Sequence, residues 1–316
     1  MKAFTLLATA ASFVSASASY NTSSTSICGS SSKCVPFSVD VTRGDINAGG
    51  FTRDGILVNG SFPGPPLKLK VGDCVDFVVN NKMDEATGVH FHGIRQYGTP
   101  WSDGTPGLSQ YSIQPGESYM YQWTADASGT YFYHGHYKGQ MMDGLVGAIV
   151  IQPADDAQKP FSLISGVTAK DLQQIEAAEA NLEVIFAGDW SRFTFAEFFN
   201  MEQAANVDNA CADTIILNGK GSVYCPSIDF LMANAAPQAP QILNGTSLTA
   251  KGCIPASNPL VQGPQYNRTL SALDPGAYDV CTPTSGANYT YNVDAANGWA
   301  SISFVNNGQH SSLPFS

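Results

Sequence analysis

The chain has 316 residues, with 15 Lys and Arg against 26 Asp and Glu and a formal net charge of −11. That acidic balance excludes nucleic acid and anionic membrane surfaces as partners, because both require basic patches.

Residues 1–18 read as a secretory signal. Lys2 supplies the positive start, Phe4 to Val14 the apolar stretch, and Ala16-Ser17-Ala18 the small-residue cleavage site. The apolar run is too short to span a bilayer, and no later stretch is long and apolar enough. The mature protein is therefore expected to be secreted and extracellular, without membrane partners. Sequons at Asn21, Asn59, Asn244, Asn267 and Asn288 suit that compartment and predict some glycosylation. The seven cysteines are Cys28, Cys34, Cys74, Cys211, Cys225, Cys253 and Cys281. In an oxidising compartment they are expected to form disulfides, and the odd count leaves at least one outside any internal pair. None forms a Cys-x-x-Cys motif, so a zinc ribbon is not expected.

From Val35 to Pro153 the pattern is all-β. Short runs of Val, Ile, Phe and Tyr alternate with turns such as Phe62-Pro63-Gly64-Pro65-Pro66 and Gln114-Pro115-Gly116. About 120 residues of this kind predict a Greek-key sandwich. Alternate residues such as Val75, Phe77 and Val79 are expected in its core.

This segment holds four of the five histidines, as His90-Phe91-His92 and His134-Gly135-His136. Residues i and i+2 of a strand share a face, so each motif presents two imidazoles on one side of a ribbon. One such pair alone is usually a surface strand or a satisfied core pair. Two pairs in one short stretch, with almost no histidine elsewhere, favour a metal site, and imidazole suits zinc, copper, iron and nickel. Gln140 and Asp143, just past the second pair, are expected to cap a turn and fix the imidazoles.

Ala154 to Phe161 reads as a boundary. A helix is predicted over Thr168–Leu182, a strand over Leu182–Ala187, and a second helix over Phe193–Ala205. Residues 222–288 are rich in Pro, Asn, Ser and Gly and read as loop, and Tyr289–Phe315 returns to strands.

The run VHFHGIRQYGTPWSDGTPGLSQYSIQPGESYMYQW (Val89–Trp123) and the run GTYFYHGHYKGQMMDGLVGAIVI (Gly129–Ile151) resemble the first two copper motifs of the multicopper oxidases. That family includes laccases, ascorbate oxidases and fungal ferroxidases and pigment oxidases. The segment Ile56–Asn81 is similar to the family's first-domain opening, and Ile215–Gly221 to a turn in its second domain. The likeness covers roughly residues 35–152, with many positions in order.

The resemblance implies an all-β chain of cupredoxin-like, or plastocyanin-like, Greek-key sandwiches. The first would span residues 35–153 and the second 160–316. The second would be incomplete, and a third domain would be absent. It implies copper as cofactor and a small-molecule reducing substrate with O2 as co-substrate. By the same resemblance His90 binds type 2 copper, His92 and His134 share one type 3 copper, and His136 binds the other. Asp103 matches a family acid near the cluster, where it would relay protons; its other reading is a turn-former before Gly104. The family cluster uses eight histidines, and this chain offers four. No cysteine here has a histidine nearby, and a type 1 copper needs a thiolate with two histidines, so the chain as written is expected to be inactive. Ascorbate oxidases tie the amino-terminal region to the second domain, which implies a bridge from Cys28 or Cys34 to Cys211 or Cys225. Asp189 lies where a ferroxidase acid would fall. A phenolic or pigment precursor is the preferred substrate, with Fe(II) the alternative. Three rivals remain: a non-catalytic copper-binding protein, a zinc enzyme with His-x-His plus a third histidine, and a structural glycoprotein.

Overall fold

A computed structural model describes residues 34–207, 211–258, 267–293 and 295–308. The signal segment, Asn21, Cys28 and His310 lie outside the described residues.

Two four-stranded sheets face each other across one apolar core. The first contains β1 (Val35–Ala48), β2 (Phe51–Val58), β4 (Cys74–Asn81) and β6 (Ser118–Thr124), in the order β2-β1-β4-β6. The second contains β3 (Gly64–Lys70), β5 (Val89–His92), β7 (Gly129–Gly135) and β8 (Val146–Gln152), in the order β3-β8-β7-β5. β1 runs parallel to β4 and β3 parallel to β8, while the other pairs are antiparallel. The chain thus crosses repeatedly between sheets, as the predicted cupredoxin-like Greek key requires.

Alternation builds the core. Val75, Phe77 and Val79 point inward from β4 and are fully buried, as expected. They meet Val39, Val41, Tyr121 and Trp123 of their own sheet and Leu67, Phe91, Tyr133 and Ile149 of the facing one. Phe77 lies edge-on to both Phe91 and Tyr133, with ring centroids 5.0 and 5.2 Å away. β8 departs from alternation: six of its seven residues are buried. Its outer face is covered by a third sheet, so both faces are apolar.

That sheet has the order β10-β9-β11, from β9 (Glu183–Trp190), β10 (Thr214–Leu217) and β11 (Ile302–Asn306). Phe186 and Val305 pack on Val146 and Ala148, and Trp190 and Ile216 pack on Ile46 and Ala48. Two helices flank it. α1 (Ala169–Ala180) begins at Thr168, whose hydroxyl accepts from the Asp171 amide while Asp171 returns the contact. α2 (Phe195–Ala205) has the same reciprocal cap from Thr194 and Glu197 and stops at Asn206, which takes a left-handed φ of 54°. The predicted helices are present, the first shorter by three residues and the second by two.

Two expectations fail. Of Tyr289–Phe315, only β11 is a strand among the described residues; residues 289–293 find no partner backbone. Among the described residues, the stretch read as loop carries three short α-helices, α3 (Ile228–Ala233), α4 (Ala239–Leu243) and α5 (Pro275–Tyr278). The implied bridge between Cys34 and the later cysteines is also corrected. Cys34 bonds Cys74, Cys211 bonds Cys253, and Cys225 bonds Cys281. The reason is register: parallel pairing of Val35 with Val75 sets the preceding cysteines side by side, with Cα atoms 4.6 Å apart. No helix among the described residues is long and apolar enough to cross a membrane.

Candidate metal centre

The two histidine motifs lie on neighbouring strands. β5 pairs antiparallel with β7 so that His90 stands opposite His134, Phe91 opposite Tyr133, and His92 opposite Phe132. Phe91 and Tyr133 face the core and are fully buried. The histidines alternate with them and share the outer side. Ring centroids of His90 lie 5.9 Å from His92, 5.3 Å from His134 and 5.4 Å from His136. His134 is 5.6 Å from His92 and 5.8 Å from His136. One nitrogen from each of His90, His92 and His134 falls within 4.8 Å of the others. His136 stands at the rim, one residue beyond β7.

Two of the rings are oriented by carbonyls. His90 Nδ1 is 2.6 Å from the backbone oxygen of Asp103, and His134 Nδ1 is 3.0 Å from that of Gly135. A carbonyl only accepts, so each Nδ1 carries the proton and each Nε2 keeps its lone pair for a metal. Burial pushes the pKa of His134 down to about 4, helped by its neighbouring histidines, and lowers that of His92 as well. Both are neutral at physiological pH, the form that coordinates.

Asp103 sits against His90, but on the Nδ1 edge of the ring. Its Oδ1 is 3.5 Å from Nδ1, and its Oδ2 accepts from the Thr105 hydroxyl at 2.8 Å. The loop can press this close because residue 104 is glycine. Its φ is +80°, and a Cβ there would lie 1.7 Å from the Val89 carbonyl oxygen.

Behind the rings, buried polar groups tie the two motifs together. Gln140 is buried; its amide donates to the Ala86 carbonyl at 2.9 Å and its oxygen accepts from Thr87 Oγ1 at 2.7 Å. The His136 amide donates to Gly88 O at 2.8 Å. Asp143 ties the same turn to its neighbours, not capping it as expected: its Oδ1 accepts from the Phe195 amide of α2 at 2.9 Å and from Arg53 Nη1 of β2 at 3.2 Å. Burial drives the Asp143 carboxyl above its ordinary range and the Arg53 guanidinium below its own. Sequence reading singled out Gln140 and Asp143 but missed Thr87 and Arg53. Neither belongs to a motif; only long-range pairing brings them here.

A β-sandwich that gathers His90, His92 and His134 from two adjacent strands, with His136 one residue beyond, offers a candidate metal site on a cupredoxin-like fold. The residues present fit copper, which imidazole nitrogen suits: two rings have their tautomer set by a carbonyl, and three nitrogens lie within 4.8 Å of one another.

Residues 40–156 match the family model described as multicopper oxidase. The chain is 45 % identical over 280 residues to multicopper oxidase elcG of Phaeosphaeria nodorum, covering 87 % of this chain and 44 % of that protein. It is 41 % identical over 271 residues to laccase abr2 of Aspergillus fumigatus, covering 86 % and 46 %. Among solved structures it is similar to the Botrytis aclada laccase (25 % identity, 68 % of this chain and 34 % of that one, TM-score 0.49) and to Fet3p, a multicopper oxidase that functions in iron import (28 % identity, 59 % and 33 %, TM-score 0.47). Residues 40–156 are thus similar to a multicopper oxidase domain, and the chain is similar in sequence to fungal multicopper oxidases and laccases. It spans less than half the length of these curated relatives.

Proposed function

We propose that His90, His92, His134 and His136 hold copper in an oxygen-reducing centre, with His90 on the type 2 ion, His92 and His134 on one type 3 ion and His136 on the other. The observation that carries this is the cross-strand pairing of His90 with His134, which gathers both motifs on one side of the sheet. Bound copper would supply the one-electron chemistry that reduces O2 to water. The chain's own residues orient and exclude. The Asp103 carbonyl fixes His90, the Gly135 carbonyl fixes His134, and Phe91 and Tyr133 close the floor against water. The Asp103 carboxylate, partly exposed and beside His90, is the proposed proton relay.

The reducing substrate is proposed to be a phenol or pigment precursor, as the laccase relatives suggest. Fe(II) is the second reading, favoured by the position of Asp189. Electrons enter such an oxidase at a copper bound by a cysteine thiolate. All six described cysteines are in disulfides, so none offers a thiolate. With no thiolate among the described cysteines, and no histidine near Cys28 in the sequence, the expectation for a protein of these 316 residues alone is copper binding without oxidation of phenol or Fe(II). Residues 1–18 are proposed to direct it out of the cell, with glycans at some sequons.

Metal analysis of the purified protein tests this reading. Copper bound without a strong blue band, and lost on replacing His90 and His134 together, supports it. Zinc at those positions would favour the hydrolytic rival, and no metal the structural one.

A further inference from the structure

We propose that Arg53, acting through Asp143, is a positioning residue for the histidine cluster; the inference rests on the copper reading above. Arg53 lies on β2, on the far side of the turn that follows His136, and touches none of the four rings. It is nevertheless almost fully buried, and its polar contacts run to the turn itself, to its own strand and to the residue after β9. Nη2 donates to the Met142 carbonyl at 2.9 Å and Nη1 to Asp143 Oδ1 at 3.2 Å, both within the turn. Nε donates to the Ser191 carbonyl at 2.7 Å and Nη1 to the Asp54 carbonyl at 2.7 Å. The guanidinium lies 3.8 Å over the ring of Trp190. One side chain thus joins β2, the end of β9 and the turn between β7 and β8.

The turn is clamped from its other sides as well. Ile56 N donates to the Asp143 carbonyl at 2.7 Å, and Phe195 N to its carboxylate at 2.9 Å. Arg43 reaches Asp143 Oδ2 only at 3.4 Å and is shared with Asp54 and Glu85. At Gly139 a Cβ would fall 2.0 Å from the Phe195 ring, so the turn lies flush against α2. Inside the turn, the Gly135 amide bonds to the Leu145 carbonyl at 2.8 Å and Leu145 N to the Gln140 carbonyl at 3.0 Å. Met142 and Asp143 bond to the Gly139 carbonyl in the same turn, so these bonds give a shift there a route through Gln140 and Leu145 to Gly135, which stands between His134 and His136. A pocket built for coordination needs its ligands held to a fraction of an ångström, and groups outside the ligand shell do that holding.

The test separates positioning from folding. R53M removes the clamp but leaves Asp143 short of its main counter-charge. R53M/D143L removes both charges, an exchange that buried ion pairs commonly tolerate. Copper(II) affinity is measured by chelator competition, the copper EPR pattern is recorded, and unfolding of the metal-free proteins is followed in urea. Positioning predicts a dissociation constant raised about 10–100-fold in both variants, with altered EPR parameters, even where the double variant unfolds at the parental midpoint. Parental affinity and EPR in a folded R53M overturn the proposal, as does their recovery in the double variant; if R53M does not fold, the double variant decides alone. A parent protein that binds no copper overturns the copper reading instead, and this inference falls with it.

Discussion

Thr87 and Gln140 are joined by a buried side-chain hydrogen bond of 2.7 Å. Thr87 lies three residues before His90 and Gln140 four residues after His136, so this bond spans the two histidine motifs from behind. Gln140→Leu would strand the buried Thr87 hydroxyl and leave the half-buried Ala86 carbonyl without its side-chain donor. Each stranded group costs on the order of 1–3 kcal/mol, less what Leu recovers by packing. A loss of about 2–3 kcal/mol in urea unfolding is expected, together with weaker copper binding.

Gly104 tests how closely the Asp103 loop must approach β5. Alanine there faces both a left-handed φ and a Cβ only 1.7 Å from the Val89 carbonyl oxygen. Backbone must move, and the loop that holds His90 Nδ1 moves with it. Gly104→Ala should cost at least about 2 kcal/mol. It should also broaden the His90 resonances in NMR spectra of the metal-free protein. Unchanged stability and spectra would show that the loop can lift away freely.

His92 separates folding from metal binding. It is exposed and stacks on Phe132 at 4.6 Å, with no buried polar partner to strand. His92→Ala should leave metal-free stability within about 1 kcal/mol of the parent. Copper retained after dialysis should nevertheless fall clearly, because one of three convergent nitrogens is gone.

The Cys34–Cys74 bond closes a span of 40 residues at the start of the first sheet. On the chain-entropy model, a loop of that length is worth about 4 kcal/mol at 25 °C. The double variant C34S/C74S should lose most of this in denaturant titration. Copper affinity should stay near parental under folding conditions, since the bond lies at β1 and β4, away from β5 and β7.

Much of this arrangement was readable before any coordinates, for definite reasons. Val75, Phe77 and Val79 announce a strand with one buried face, and each His-x-His pair announces two rings on one face. These are local properties of a chain with period two. What was not readable depends on which strand lies beside which. Parallel pairing of β1 with β4 chooses Cys74 for Cys34, against the bridge that family likeness implied. Arg53 is 90 residues from Asp143 and carries no motif, so only the assembled packing reveals their contact. Residues 289–293 have strand-like composition but pair with no strand among the described residues, and composition alone does not supply one. Asp103, which the family likeness sets near the cluster, stands beside His90. Its carbonyl, which every residue possesses, turns out to be the atom closest to His90.

The central claim is that four imidazoles from β5, β7 and the residue beyond β7 meet at shared copper. Copper K-edge X-ray absorption on the purified protein, with and without the His90→Ala and His134→Ala changes, addresses it most directly. The account predicts a first shell of imidazole nitrogen and light atoms with no sulfur, and loss of that copper in the double variant. A sulfur ligand, or copper retained with an unchanged spectrum when both histidines are gone, would contradict it.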